Sequence, residues 1–244
     1  MKIVFYGFLF LVIAHKTLSQ KNENSFEAFD IAIASGKKGF SPAMSYEKLF
    51  GLGQKGKLKL GYGLRYTGYF AQEKKMNFRT APASLTSGKS SLAALFSEDI
   101  DSQIDTLQLD NVQTNALNLT IRLGYSIAKK IEVGFNIDAI GFTFGKKQRG
   151  IFVGNETDSD GKSNNGKSVI ASPTKFNLLL ISDSDIGSLN SEIFARYFIS
   201  EKIGIRAGAS FQFLEYTADK KLAFDNDRYR SKQLLPFVAL SIKF

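Results

Sequence analysis

From residue 26 to the end of the chain, apolar and polar residues alternate with period two. That is the side-chain period of a β-strand, in which successive residues point to opposite faces. The clearest run is 115–127. Leu117, Leu119, Ile121, Leu123, Tyr125 and Ile127 alternate there with Asn118, Thr120, Arg122, Gly124 and Ser126. Residues 57–70 behave the same way, with Leu58, Leu60, Tyr62, Leu64 and Tyr66 set against Lys59, Gly61, Gly63, Arg65 and Thr67. The full pattern predicts eight strands, at 26–34, 40–50, 57–70, 115–127, 131–144, 189–199, 203–216 and 234–244. The second is the least regular, because Lys48 falls on its apolar parity.

The connections between these strands differ in length. Short turns are expected at 35–39, 51–56, 128–130 and 200–202. Polar loops are expected at 71–114, 145–188 and 217–230. Residues 90–109 could wind into a short amphipathic helix with an acidic side (Glu98, Asp99, Asp101, Asp105). Residues 175–181 are strand-like and, given a partner, would raise the strand count to ten.

Alternation alone does not say which face is inside. Three features turn the apolar face outward, toward lipid. Glycines 61, 63, 124, 134, 204 and 208 all share the polar parity, as a narrow barrel packing its own interior requires. Both signs of charge also lie on that parity: Arg65, Arg122, Arg196 and Arg206 with Asp30, Glu47, Glu132, Asp138 and Glu192. These nine side chains could pair as a buried network that fills the lumen. The apolar parity is nearly free of charge at the strand centres, where a basic residue facing lipid costs about 2–4 kcal/mol. Glu27 and Lys48 break that rule only near strand ends. The expected architecture is therefore all-β: a closed antiparallel transmembrane barrel with a filled lumen, short periplasmic turns and long extracellular loops.

Composition and targeting agree with export. Lys2 and an apolar run at 3–14 precede Thr17 and Ser19, at the −3 and −1 positions of a cut before Gln20. Residues 1–19 read as a signal peptide and 20–244 as one barrel domain. Twelve apolar residues are too few to span a bilayer as a helix. Removing Lys2 and Lys16 takes the formal charge from +9 to +7 (30 basic less 23 acidic residues). The mild basic excess favours contact with outer-membrane lipid and lipopolysaccharide. With no basic cluster interleaved with aromatics, it is not a nucleic-acid footprint. There is no cysteine, which excludes disulfides, thiolate metal sites and a lipoprotein anchor.

The last strand ends on Phe244 with nothing after it. Together with the signal peptide and the eight alternating strands, this resembles the small Gram-negative outer-membrane barrels of the OmpA/OmpX type across essentially the whole mature chain. The resemblance implies that Phe244 is part of the signal read by the outer-membrane assembly machinery. It also implies a structural, adhesive or surface-interaction role, with the loops as contact surfaces. The rival reading is a narrow channel or a carrier of small hydrophobic molecules, which an apolar interior near Phe142, Phe144, Phe194 and Phe198 would favour.

An enzyme is the third reading. Barrel enzymes of this size, such as lipid A deacylases and palmitoyltransferases, use His with Ser or an acid, and the one histidine here, His15, lies in the signal peptide. No catalytic residue, metal ligand or cofactor is therefore assigned. Residues 161–168 match G-x-x-x-x-G-K-[ST], but a phosphate loop needs a strand before it and a helix after it. Asp158 to Gly161 resembles part of a calcium loop but lacks a closing Glu.

Overall fold

The computed structural model describes residues 25–86, 101–154, 165–180 and 184–244, so the expected signal peptide lies outside the described residues. Thirteen strands form one antiparallel sheet, and no α-helix occurs among the described residues. They are β1 (Phe26–Gly36), β2 (Gly39–Leu52), β3 (Leu58–Ala71), β4 (Lys75–Thr80), β5 (Thr106–Asp110), β6 (Gln113–Ala128), β7 (Ile131–Phe144), β8 (Gln148–Val153), β9 (Ser168–Pro173), β10 (Phe176–Leu178), β11 (Asn190–Phe198), β12 (Ile203–Ala218) and β13 (Arg228–Lys243).

The pairings make two circuits. In the first, β1 pairs with β2, β2 with β3, β3 with β6, β6 with β7, β7 with β11, β11 with β12, β12 with β13, and β13 with β1. These are the eight segments expected from alternation, with boundaries shifted by a few residues. In the second circuit, β12 and β13 extend past their β11 and β1 neighbours. β13 then pairs with β4, β4 with β5, β5 with β8, β8 with β9, and β9 with β12. The hairpin of β12 and β13 belongs to both circuits.

The long connections are therefore not plain loops. The segment 72–112 holds β4 and β5, and 145–189 holds β8, β9 and β10. The amphipathic helix expected over 90–109 does not form within the described part of that range. Asp101–Gln103 makes one 3-10 turn, and Thr106–Asp110 is β5. The pattern Thr-Leu-Gln-Leu-Asp suits a strand as well as a helix, and pairing with β4 and β8 decides it. The strand-like segment 175–181 contributes only the three residues of β10, which pair with β7. The charged loop expected at 217–230 shrinks to 219–227, because β12 runs to Ala218 and β13 begins at Arg228.

A second correction lies in β7. Strict alternation puts Phe142 and Phe144 on the same face as Asp138. The register against β6 instead slips at Ala139: Thr120 faces Asp138 while Leu119 faces Ile140. One extra residue in one strand reverses the facing of everything beyond it. Ile140, Phe142 and Phe144 consequently point outward, and Gly141 and Thr143 point in. The apolar interior that would have favoured a carrier is not built from these phenylalanines.

The two circuits differ in where they bury charge. Along the eight-strand circuit, the outward positions are apolar and open, such as Leu119, Ile193 and Val238, and the inward ones hold all nine of the expected charges together with Phe194, Leu235, Phe237 and several alanines. The six-strand circuit gathers Met76, Phe78, Leu107, Leu109, Phe152, Val169, Tyr216 and Tyr229 into a buried apolar cluster. Its outward positions include Lys75, Asn77, Arg79 and Arg149, all exposed. It has the apolar-in, polar-out pattern of a protein in water, and its core lies beyond the ends of β11 and β1 where the loops gather.

Candidate functional site

The interior of the eight-strand circuit is the most concentrated chemistry in the chain. Alternation carries Asp30 inward from β1, Glu47 from β2, Arg65 from β3, Arg122 from β6 and Glu132 and Asp138 from β7. Glu192 and Arg196 come from β11 and Arg206 from β12. All nine are buried, each no more than 3% exposed. Glu47 accepts hydrogen bonds from both Arg122 and Arg196. Asp30 lies 3.1 Å from Arg206 and 3.3 Å from Arg196. Glu192 bridges Arg206 at 2.9 Å and Arg65 at 3.0 Å. Arg65 Nε donates to Asp138 at 2.9 Å, and Arg196 reaches Glu132 at 3.1 Å.

One member was not among the nine expected. Lys59, on the polar parity of β3, pairs with Glu132. Its position beside the 53–57 turn suggests a solvated lysine, and only the register of β3 and β7 brings it over Glu132. With Lys59 the cluster is balanced: five carboxylates (30, 47, 132, 138, 192) against five cations (59, 65, 122, 196, 206). Buried charges persist only when paired and hydrogen-bonded, so this balance is what lets ten of them share a narrow interior.

Amides extend the cluster toward the loops. Asn118 Nδ2 and the Asn190 backbone N–H both donate to Asp138 Oδ2, at 2.8 and 2.9 Å. Asn177, on β10, donates to Asn118 Oδ1 at 2.7 Å and accepts from Thr143 Oγ1 at 2.8 Å. Neutral amides carry no charge signature in the sequence, and Asn177 lies outside the eight alternating segments.

Aromatic and glycine residues pack among these charges. Phe194 points inward between Gly134 on β7 and Gly208 on β12, its direct cross-strand partners. A Cβ on Gly134 would stand 2.5 Å from the Phe194 ring, and one on Gly208 would stand 1.9 Å from the Ile193 carbonyl oxygen. The Arg206 guanidinium lies 4.7 Å from the Phe194 ring centre and 5.1 Å from that of Phe237. Cations over ring faces are attracted by the ring quadrupole, so the phenylalanines fill volume without opposing the arginines.

The two residues that broke the outward apolar pattern pair with each other. Glu27 and Lys48 are cross-strand partners with a 2.8 Å ion pair, and Tyr46 donates to Glu27 at 2.6 Å. Phe244 is exposed, and its backbone N–H donates to the Glu27 carbonyl at 2.9 Å, fixing the chain end against β1.

Where β12 and β13 leave the first circuit, a second charge group forms. Buried Glu215 takes Arg228 at 2.8 Å and Arg230 at 2.7 Å, and both arginines also donate to the Asp185 carbonyl. In the apolar core beyond, burial pushes the Tyr216 and Tyr229 phenols well above the usual tyrosine range. The phosphate-loop match is resolved in part. Residues 161–164 lie outside the described residues, and Ser168 begins β9, so a strand follows where a phosphate loop needs a helix. The calcium-like residues 158–161 lie outside the described residues.

No family model matches the sequence, and no curated protein matches it. Similar solved structures include Neisserial surface protein A, at 10% identity and TM-score 0.40, covering 91% of this chain and 98% of that one. The Yersinia pestis outer membrane protein Ail matches at 9% identity and TM-score 0.33, covering 90% and 99%. A major outer membrane protein from Thermus thermophilus matches at 12% identity and TM-score 0.36, covering 89% and 99%.

Proposed function

We propose that the eight-strand circuit is a closed transmembrane barrel of the cell outer membrane, with a lumen filled by side chains. Its role in this reading is structural or surface-binding. The six-strand circuit is then a folded cap on the extracellular side and supplies the contact surface. The observation that carries this is the reversal of polarity between the two circuits. Large apolar side chains stand open on the outside of the eight strands, while four arginines are buried within them. In water that arrangement would leave most of the apolar surface hydrated. In a bilayer it satisfies the rule that lipid-facing positions be apolar and charges face inward.

The strand lengths fit. Outward positions of β12 stay apolar from Ile203 to Phe213, eleven residues, and a tilted spanning strand needs about 9–11. The turns at 53–57, 129–130 and 199–202 share one end of the circuit with the start of β1 and the end of β13, the periplasmic side in this reading, and the β1–β2 turn lies at the other end. The ion pairs crossing the interior, from Lys59 through Arg196 and Glu192 to Asp138, favour a plugged barrel over a channel.

The test is twofold. Purified protein should need detergent or lipid to stay folded, and in planar bilayers it should give no steady conductance. Stable open channels would establish the transport reading instead. Lipid A hydrolysis or acyl transfer by the purified protein would establish the enzymatic one.

A further inference from the structure

The edge of β13 changes neighbour partway along its length. Its pairing with β1 runs from Lys243 to Phe237, and its pairing with β4 takes up at Arg230 and Tyr229. Between these, at 231–236, the β1–β2 tip and β4 diverge. A sheet that forks leaves a crevice between the parting strands, which is why ligand sites gather where strand neighbours change. The corresponding fork on β12, between β11 and β9, is filled. There the Phe213 N–H donates to the Leu189 carbonyl at 2.8 Å and the Glu215 N–H donates to Ser188 Oγ at 3.3 Å. The β13 fork is open, as a cavity of about 320 Å³.

Its walls are basic. Lys38 comes from the β1–β2 tip, Arg79 from β4, and Arg230 and Lys232 from β13, while Thr80 and Thr86 add hydroxyls. No carboxylate is among the lining residues that are described. Arg230 is fixed from behind by Glu215, and Lys232 lies 5.7 Å from the Phe213 ring centre. Just below, the outer surface becomes apolar. Leu234 follows Lys232 on the outward face of β13 and is 71% exposed, and Phe40 and Phe70 stack at 5.1 Å beside the β1–β2 tip. Cations thus line a crevice directly above a surface fit for acyl chains.

We propose that this fork binds the phosphate group of a lipid headgroup, with the lipid's acyl chains lying on the apolar surface beneath. Guanidinium matches phosphate oxygens in pairs, and ammonium groups serve as adaptable point charges beside it. A free phosphate ion presents the same oxygens without the chains, so the two sources are separable. The inference rests on the transmembrane reading above, which places Leu234 and Phe40 against lipid.

The experiment uses the full chain folded in detergent micelles, titrated with lipid A, with dephosphorylated lipid A and with inorganic phosphate, and read by native mass spectrometry. The expected result is at least about tenfold tighter binding of lipid A than of its dephosphorylated form, with inorganic phosphate competing. The variant K38Q/R79Q/K232Q should lose about tenfold in lipid A affinity. K55Q/K57Q/K129Q, which removes as many charges at the opposite end, should stay within about twofold. Equal losses in the two variants, no preference for the phosphorylated lipid, or binding of inorganic phosphate alone would overturn the proposal. Gel mobility of unheated samples reports folding throughout. A folded barrel without lipid A preference refutes this inference alone, whereas a chain that stays folded without detergent refutes the transmembrane reading.

Discussion

Arg65→Met asks whether the barrel interior is dry and charge-paired. Arg65 is 1% exposed and is the cation paired with Asp138, which is itself fully buried. Its other carboxylate, Glu192, keeps Arg206 at 2.9 Å. Methionine fills most of the volume, so the principal change is a stranded Asp138 held only by Asn118 and the Asn190 N–H. Removing one partner of a buried pair costs about 3–5 kcal/mol. With a urea slope on the order of 2 kcal/mol/M, the unfolding midpoint should fall by about 2 M. Arg196→Met is the internal comparison. Arg196 touches three carboxylates, but Glu47 keeps Arg122, Asp30 keeps Arg206 and Glu132 keeps Lys59, so its cost should fall at the lower end of that range. Adding Asp138→Asn to Arg65→Met removes the stranded charge and should restore at least half of the loss. The assay is urea unfolding in lipid vesicles, followed by far-ultraviolet circular dichroism and by the mobility of unheated samples on gels. A loss for Arg65→Met below about 1 kcal/mol, the value of a surface pair, would mean a wet lumen and would refute the reasoning.

Gly134→Val places side-chain atoms against the Phe194 ring and should cost about 1–3 kcal/mol through overpacking, relieved in part by Phe194→Ala; an unchanged urea midpoint would show that the ring does not occupy that space. Phe78→Ala, at a fully buried position of the six-strand circuit, should cost that circuit about 3–5 kcal/mol. New protease cuts within 72–112 with unchanged mobility of the unheated barrel are expected, and resistance equal to the wild type would contradict a folded cap. Tyr216 and Tyr229 favour their neutral form in the fold, so their contribution to stability is present below the unfolded tyrosine value of about 10 and is lost as pH rises through their higher folded values. Ultraviolet tyrosinate titration should show these two ionising last, together with opening of the cap. Ionisation along with the exposed Tyr62 and Tyr197 would refute the buried placement.

Alternation was a sufficient guide wherever a strand meets a different environment on each side. The eight long segments of the first circuit alternate with period two, and the nine charges on their polar parity are buried. The signal failed where that two-sidedness ends. A bulge at Ala139 adds one residue without leaving a mark in the sequence, so strict alternation carried past it puts Phe142 and Phe144 on the wrong face. Strands β4, β5, β8 and β9 are five or six residues long, too short for periodicity to separate them from loop. Their partners lie far apart in sequence, Thr106 against Val153 for instance, and nothing local announces such pairings. Lys59 shows the same limit in the interior: its parity was legible, but its pairing with Glu132 depends on the register between β3, β6 and β7.

In the transmembrane reading, the shared hairpin of β12 and β13 marks the change of solvent. On the inner face of β12, Arg206, Ser210 and Gln212 give way to Leu214, Tyr216 and Ala218. On its outer face, Phe211 and Phe213 give way to Glu215 and Thr217. On β13, read from its end toward its start, Ile242, Leu240, Val238 and Leu234 give way to Lys232, Arg230 and Arg228. Both faces of β12 and the outer face of β13 therefore change within about two residues of the same height, although the strands continue without a break. A single strand has no internal reason to exchange its faces; its surroundings must change on both sides at once. In the transmembrane reading, lipid outside the hairpin yields to the charge group of Glu215, Arg228 and Arg230, and inside β12 polar side chains yield to an apolar core. Phe213 sits at that level, with the Arg230 and Lys232 cations 5.0 and 5.7 Å from its ring centre. In that reading Phe213 is an interfacial aromatic, apolar toward the acyl chains below and polarisable toward the charges above. A charged substitution at Leu234 should accordingly be tolerated far better than the same substitution at Val238 or Leu240, because the cost of facing lipid grows with depth from this boundary.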